Sequence, residues 1–175
     1  MSPTQGFAVW ITGLPASGKS SITRELVKKL DARGVRVVVL ESDEMRKILT
    51  PEPTYSEKER EYFYRALVLI GEMITRNGMN VIFDATANQR AYRNRARSLI
   101  RKFVEVYVDC PLEVCMKRDP KGIYRSAASG KAATVPGIQA SYEPPLQPEV
   151  TLTCQDPPEA GANLIVLKLS LLIRI

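Results

Sequence analysis

Gly13-Leu14-Pro15-Ala16-Ser17-Gly18-Lys19-Ser20 satisfies G-x-x-x-x-G-K-[ST] at every fixed position. Each fixed position has a chemical reason. The glycines let the backbone wrap close to phosphate oxygens. Inward N–H groups and the start of the following helix supply partial positive charge. Lys19 is placed to reach the β- and γ-phosphates of ATP, and Ser20 to offer its hydroxyl to Mg²⁺. Ser21 follows on the same turn and joins the candidate nucleotide contacts. The chemistry this points to is phosphoryl transfer.

Carboxylates are the next requirement. The chain has no histidine, so proton handling near neutral pH falls to carboxylates, lysine or water. Three aspartates fall at or just after strand-like runs: Asp43, Asp84 and Asp109. In open α/β sheets, ligands sit beyond the carboxyl ends of the strands. Asp43 is placed to orient an acceptor hydroxyl and to sit near Mg²⁺. Asp84 is the candidate to reach Mg²⁺ through water. Asp109 is read as tying down the turn after its strand.

The elements that must hold these residues follow from periodicity. The run 7–12 (FAVWIT) is continuously apolar, as a strand buried on both faces is. After the Gly-rich turn, Ile22, Leu26 and Leu30 repeat every four residues, one face of a helix. Residues 35–40 read as a second strand. Residues 56–77 read as a helix with Phe63, Leu67, Ile70 and Ile74 on one face, and Asn77-Gly78 as its stop. Residues 81–83 are a third strand. Tyr92, Ala96, Leu99 and Ile100 mark another helix. Residues 103–108 are a fourth strand, and Pro111 opens a short helix. Residues 119–148, rich in Gly and Pro, read as a loop-rich lid or binding segment. Residues 151–154 are a candidate fifth strand, and a core-packed helix ends the chain. Alternating strands and helices predict α/β architecture: a parallel sheet with helices on both faces.

Composition narrows the classes. The chain has 175 residues, suited to one domain over 1–175. It is 45% hydrophobic and 25% charged, with a net charge of +6. That balance suits polyanionic substrates. Three cysteines without a C-x-x-C pair argue against a disulfide framework or a zinc site. The polar start of the chain does not read as a signal peptide, and the last apolar run is short and charged, so a cytoplasmic protein is expected. Arg90, Arg93, Arg95, Arg97 and Arg101 crowd one predicted helix. They spread around it, which predicts mostly solvated arginines, with Arg90 or Arg93 able to face an acceptor. No nucleic-acid-binding module accompanies them.

The stretch 103–124 (FVEVYVDCPLEVCMKRDPKGIY) resembles the hallmark of the adenylyl-sulfate kinase family, V-D-x-P-L-E-V-C-x-x-R-D-P-K-G-[LI]-Y. Glu41-Ser42-Asp43-Glu44-Met45-Arg46 is similar to its D-G-D-x-x-R. Gly137-Ile138 with Tyr142-Glu143 and Pro145 is similar to its G-I-x-x-x-Y-E-x-P. The resemblance implies a three-layer P-loop kinase fold with a five-stranded parallel sheet and a lid loop. It implies ATP, Mg²⁺ and adenylyl sulfate, giving ADP and 3′-phosphoadenylyl sulfate. It implies that Asp43 acts near the 3′-hydroxyl and Mg²⁺, and the loop's Lys19 and the strand-end Asp84 complete the candidate catalytic set. Arg46 and Arg60 would hold the acceptor's sulfate–phosphate end, and Tyr55 would stand in a stacking position. Arg118, Asp119 and Lys121 would belong to a mobile lid over the nucleotide, and Thr86 and Ile138 would line the substrate. A homodimer and a sulfate adenylyltransferase partner are also implied.

The sequence departs from that pattern at several positions. Glu41 replaces the first aspartate, and Phe63 replaces an Asn. The segment Phe83-Asp84-Ala85-Thr86-Ala87 stands at F-I-S-P, with Thr86 nearest the family's serine. Ala133 and Val135 stand at Lys and Phe. Asp84-Ala85-Thr86 is instead similar to the D-x-T of polynucleotide-kinase-like and related small kinases. These departures leave open a kinase of another hydroxyl acceptor (a polyol, a nucleoside or a 5′-hydroxyl end), or a nucleotide-binding protein without turnover.

Overall fold

The computed structural model describes residues 5–130 and 134–173. Strand β1 (Ala8–Thr12) leads through the Gly-rich loop into α1 (Lys19–Asp31). Then come β2 (Val37–Glu41), α2 (Ser42–Leu49), α3 (Glu57–Arg76), β3 (Asn80–Asp84), α4 (Arg90–Leu99) and β4 (Phe103–Asp109). Two short helices follow, α5 (Leu112–Arg118) and α6 (Ile123–Ala128), and the described chain ends with β5 (Val150–Thr153) and α7 (Pro158–Ile173). Among the described residues the five strands form one sheet in the order β2-β3-β1-β4-β5, every neighbouring pair parallel. The α/β expectation and the five strands are as the sequence predicts, with strand ends shifted by one or two residues.

Strand alternation builds two cores. Val9 and Ile11 of β1 face α1 and α7, with Leu26, Leu30, Ile165 and Leu169 around them. Ala8 and Trp10 face the other way, toward α3 and α4, with Phe63, Leu67, Phe83 and Tyr92. Trp10 stacks on Phe83 at 4.5 Å between ring centroids, and its indole N–H donates to Ala85 O at 3.0 Å. That bond anchors the backbone just beyond β3.

Four sequence expectations need correction. Helix α2 lies where no helix was expected; its buried residue is Arg46, while Ile48 and Leu49 are exposed. Helix α6 lies inside the segment expected to be loop. Helix α7 is core-packed on one face only, and Leu164, Leu167, Leu171 and Leu172 stay exposed. Arg93 is neither solvated nor facing an acceptor: its side chain has no exposed surface and pairs with Glu105 at 2.7 Å. The helix's other arginines are largely answered too: Arg95 pairs with Glu61 at 2.8 Å, Arg97 with Glu149 at 2.6 Å, and Arg90 with Glu143 at 3.5 Å. Among the described residues no helix is long and apolar enough to cross a membrane.

Two predictions follow from this packing. A Cβ on Gly71 of α3 would lie 2.1 Å from Cζ of Phe83. Gly71→Ala should therefore lower the melting temperature, costing about 1–3 kcal/mol from overpacking. Glu149 supplies a pH dependence. Burial alone would raise its pKa, but the Arg97 guanidinium and the N–H of Glu105 outweigh it and hold the carboxyl below its ordinary 4.5. A lowered folded pKa contributes stability that is complete above the unfolded value and drains away as pH falls through the folded one. Urea unfolding from about pH 6 down to 3 should show a flatter acid limb for Glu149→Gln than for the wild type.

Candidate active site

The P-loop wraps against β4. Gly13 has φ of 154°, and a Cβ there would sit 2.7 Å from Val108 O and 2.8 Å from Ser17 Oγ, so only glycine fits. Gly18, with φ of 109°, caps the start of α1. Lys19 turns back over the loop and donates to Gly13 O at 3.1 Å and Leu14 O at 2.8 Å. Burial lowers its pKa, while the Asp84 and Asp43 carboxylates pull it partly back up. Ser17 Oγ is buried with no hydrogen-bond partner among the described residues. Ser17 lies beneath the loop, and it is the Lys19 ammonium and the start of α1 that suit an oxyanion ligand.

The hallmark stretch serves this loop. Asp119 caps α6, its carboxylate accepting from Tyr124 N at 3.2 Å and Arg125 N at 3.0 Å. Gly122, with φ of 66°, makes the turn that allows this. Tyr124 then donates its hydroxyl to Pro15 O at 3.0 Å, tying α6 to the P-loop. Arg118 donates to Cys154 O at 2.7 Å, tying α5 to the loop after β5. Cys110, Cys115 and Cys154 lie together beneath this region as free thiols, and burial pushes the Cys110 and Cys115 thiols up.

Two cavities meet at the carboxyl edge of the sheet. The first, about 600 Å³, is lined by Lys19, Ser20, Ser21, Asp84, Arg118 and Pro120 among others. The second, about 460 Å³, is lined by Arg46, Tyr55, Arg60, Tyr64, Thr134 and Val135 among others. Both are lined by Pro15, Ser42, Asp43, Thr86, Lys121 and Ile123. At this shared mouth Lys121 pairs with Asp43 at 2.6 Å and approaches Glu41 to 3.8 Å. The Asp43 carboxylate, with help from Glu41, raises the Lys121 pKa against a smaller opposing effect of burial.

The second cavity's arginines are braced from within. Arg46 lies 3.9 Å over the Phe63 ring and pairs with Glu59 at 3.2 Å. Arg60 donates to Tyr55 O at 3.0 Å, to Asn88 Oδ1 at 3.4 Å and to Thr134 O at 2.5 Å. Tyr55 has φ of 54°, and its half-exposed ring lies within 5.0 Å of the Arg46 guanidinium. Of the residues singled out in the sequence, Ile138 is exposed and lines neither cavity. Leu14 packs beneath the loop rather than lining it. Ala133 lies outside the described residues. Sequence alone gives no role to Tyr64 or Asn88, and it places Arg93 at the surface or the acceptor rather than in the core. Glu105 was the available signal for Arg93, a lone charge within a buried strand.

A family model described as adenylylsulphate kinase matches residues 5–153. The chain belongs to the adenylyl-sulfate kinase family. A probable adenylyl-sulfate kinase of Archaeoglobus fulgidus is 43% identical over 146 residues, covering 83% of this chain and 94% of that protein. An adenylyl-sulfate kinase of Synechococcus is 42% identical over 83% of each chain. The solved structure of the Mycobacterium tuberculosis APS kinase, in complex with AMPPNP and APS, superposes with a TM-score of 0.90 at 31% identity, covering 96% of this chain and 99% of that one.

The Tyr124 tie gives a test of how the P-loop is held. Tyr124→Phe keeps the ring and removes one hydrogen bond worth about 1 kcal/mol. The KM for ATP should rise about threefold to tenfold and the melting temperature fall by only about 2–4 °C, measured by steady-state kinetics and thermal unfolding.

Proposed function

We propose that this protein moves the γ-phosphoryl group of ATP onto the 3′-hydroxyl of adenylyl sulfate, giving ADP and 3′-phosphoadenylyl sulfate. The observation that carries the reading is the pair of cavities meeting at Asp43, Thr86 and Lys121. In-line transfer needs the donor phosphate and acceptor hydroxyl on either side of one short gap. Membership of the family supports the choice of acceptor.

The first cavity takes ATP. Gly13 to Ser21 cradle the phosphates, Lys19 answers the β- and γ-oxygens, and Arg118 stands over the nucleotide. Ser20 and Asp43 line the same cavity, and hydroxyl with carboxylate is the oxygen donor set a hard cation takes. Asp84, buried at the end of β3 and lining the same cavity, would hold the cation through water. Mg²⁺, when bound there, neutralises charge on the transferring phosphate. Asp43 directs the acceptor hydroxyl and accepts its proton late, since a loose transition state needs positioning more than a strong base. Lys121 leaves Asp43 for the phosphate as the γ-group arrives.

The second cavity takes adenylyl sulfate. The arginine charge of Arg46 and Arg60 suits an acceptor bearing phosphate and sulfate. Arg60 also braces the wall, because three of its hydrogen bonds join Tyr55, Asn88 and Thr134. Tyr55 is the ring available for base stacking where Val135 replaces an aromatic. We read 1–175 as one kinase domain with segment 119–148 closing over the site. Cytoplasm, where ATP is held and cysteines stay free, is its compartment. A relative from Thiobacillus denitrificans is described as hexameric (TM-score 0.69, 26% identity, this chain spanning 29% of it). Self-association, with a homodimer as its simplest form, fits that likeness, and a sulfate adenylyltransferase supplying the acceptor is the natural partner.

ADP release from ATP-Mg²⁺, with and without adenylyl sulfate, tests the reading, the product being identified by mass. Stimulated turnover yielding 3′-phosphoadenylyl sulfate is expected. Removal of Mg²⁺, and Lys19→Ala, should abolish it, and Asp43→Ala should lower kcat by about a hundredfold or more. Turnover with a polyol, a nucleoside or a 5′-hydroxyl end, and none with adenylyl sulfate, would overturn the acceptor assignment.

A further inference from the structure

The turn after β3 stands between the two cavities, because Thr86 lines both. Its next residue, Ala87, has no exposed surface and a φ of 41°. A residue with a Cβ is strained in that left-handed region and stays there only when its surroundings fix it. Here they do. The Ala87 N–H donates to the Tyr64 hydroxyl at 2.9 Å, and Ala87 O accepts from the Arg93 guanidinium.

The neighbouring positions are fixed as well. Thr86 O accepts from Thr12 Oγ1 at 2.6 Å, and that hydroxyl lies 3.0 Å from the Tyr142 hydroxyl. Asn88 O accepts from Glu143 N at 2.7 Å, and Asn88 Oδ1 accepts from Arg60. Arg93 donates onward to Glu143 O at 2.6 Å.

Proline cannot occupy this position, since its φ is locked near −65° and it has no N–H. Alanine adopts the turn but brings a buried N–H far from water. Such a donor left unpaired is costly. Tyr64 supplies the acceptor. Its ring is held independently of its hydroxyl, stacked on Tyr92 at 4.6 Å and edge-on to Phe63 at 5.2 Å.

We propose that Tyr64 is a positioning residue for phosphoryl transfer: by accepting the Ala87 N–H it holds Thr86 in register between donor and acceptor. Its part in the reaction rests on the kinase reading above. The hydroxyl acts through the turn, not on the reacting atoms.

Tyr64→Phe tests this, because it removes the acceptor and leaves the ring. The expected result is a fall in kcat of about tenfold, with the KM for ATP and for adenylyl sulfate each within about twofold. Amide exchange at Ala87, followed by nitrogen-15 NMR, should be slow in the wild type and at least about tenfold faster in the variant. A raised KM for adenylyl sulfate at unchanged kcat would make the hydroxyl a substrate contact and overturn the proposal. So would a lowered melting temperature with full kcat, which would reduce the hydroxyl to a packing role. Fast exchange at Ala87 in the wild type would overturn it without any variant. The exchange measurement needs no acceptor, so a wrong acceptor and an absent clamp give separate signatures.

Discussion

An ammonium group held out of water has to be answered by nearby oxygen, or it loses its proton. Lys19 is held this way, with two loop carbonyls on its Nζ and the carboxylates of Asp84 and Asp43 within electrostatic reach. Those acidic groups come from different parts of the chain. Asp84 ends β3, and Asp43 sits in the first turn of α2 after β2. Lys121 adds a second cation from the turn between α5 and α6. Only a parallel sheet brings all the strand ends to one edge with helices covering both faces. The order β2-β3-β1-β4-β5 sets β1 and its loop beside the strand that ends in Asp84. The charge arrangement and the topology are therefore one constraint.

A second polar group sits behind the site. Arg93 and Glu105 are both buried, and Arg97 with Glu149 extends the pairing toward the edge strand. Buried ion pairs are a poor source of net stability, but removing one partner leaves an uncompensated charge. What this one accomplishes is geometric. It joins α4 to the middle of β4 and reaches the carbonyls of Ala87 and Glu143. The cavity walls are thereby fixed to the sheet by directional bonds. Apolar packing would leave them free to slide.

The donor half of the site was legible in the sequence because it is contiguous. The loop, Lys19, Ser20 and the apolar strand before them lie within a few positions, and each residue type has one evident purpose. The buried strands β1 and β4 announce themselves as apolar runs. Helix α2 does not, since its buried residue is an arginine and its Ile48 and Leu49 face water. Hydrophobic periodicity reads such a helix inside out. Helix α6 spans six residues among glycines and prolines, too short to show a period. In α4 the arginines surround the axis, so spacing alone could not say that Arg93 points inward. The roles of Tyr64 and Asn88 depend on partners more than twenty positions away, which no local pattern carries.

The two cavities rest on different parts of the fold. A gluconokinase from Sinorhizobium meliloti and a shikimate kinase from Aquifex aeolicus share the fold, with TM-scores of 0.61 and 0.58 at 16% and 17% identity. The phosphate cradle belongs to the strand, loop and helix at the centre of the sheet. The second cavity is built instead from α2, the start of α3, the turn 86–88 and the chain around 134–136. Hydrogen bonds of Arg60, Asn88 and Arg93 join those parts at the rim of the core that holds Phe63, Tyr64 and Ala87. Polar joints can be redrawn by a few substitutions while the cores stay packed. Chemistry at the centre can thus persist while the acceptor wall changes, and acceptor identity is carried by sites on the fold rather than by the fold.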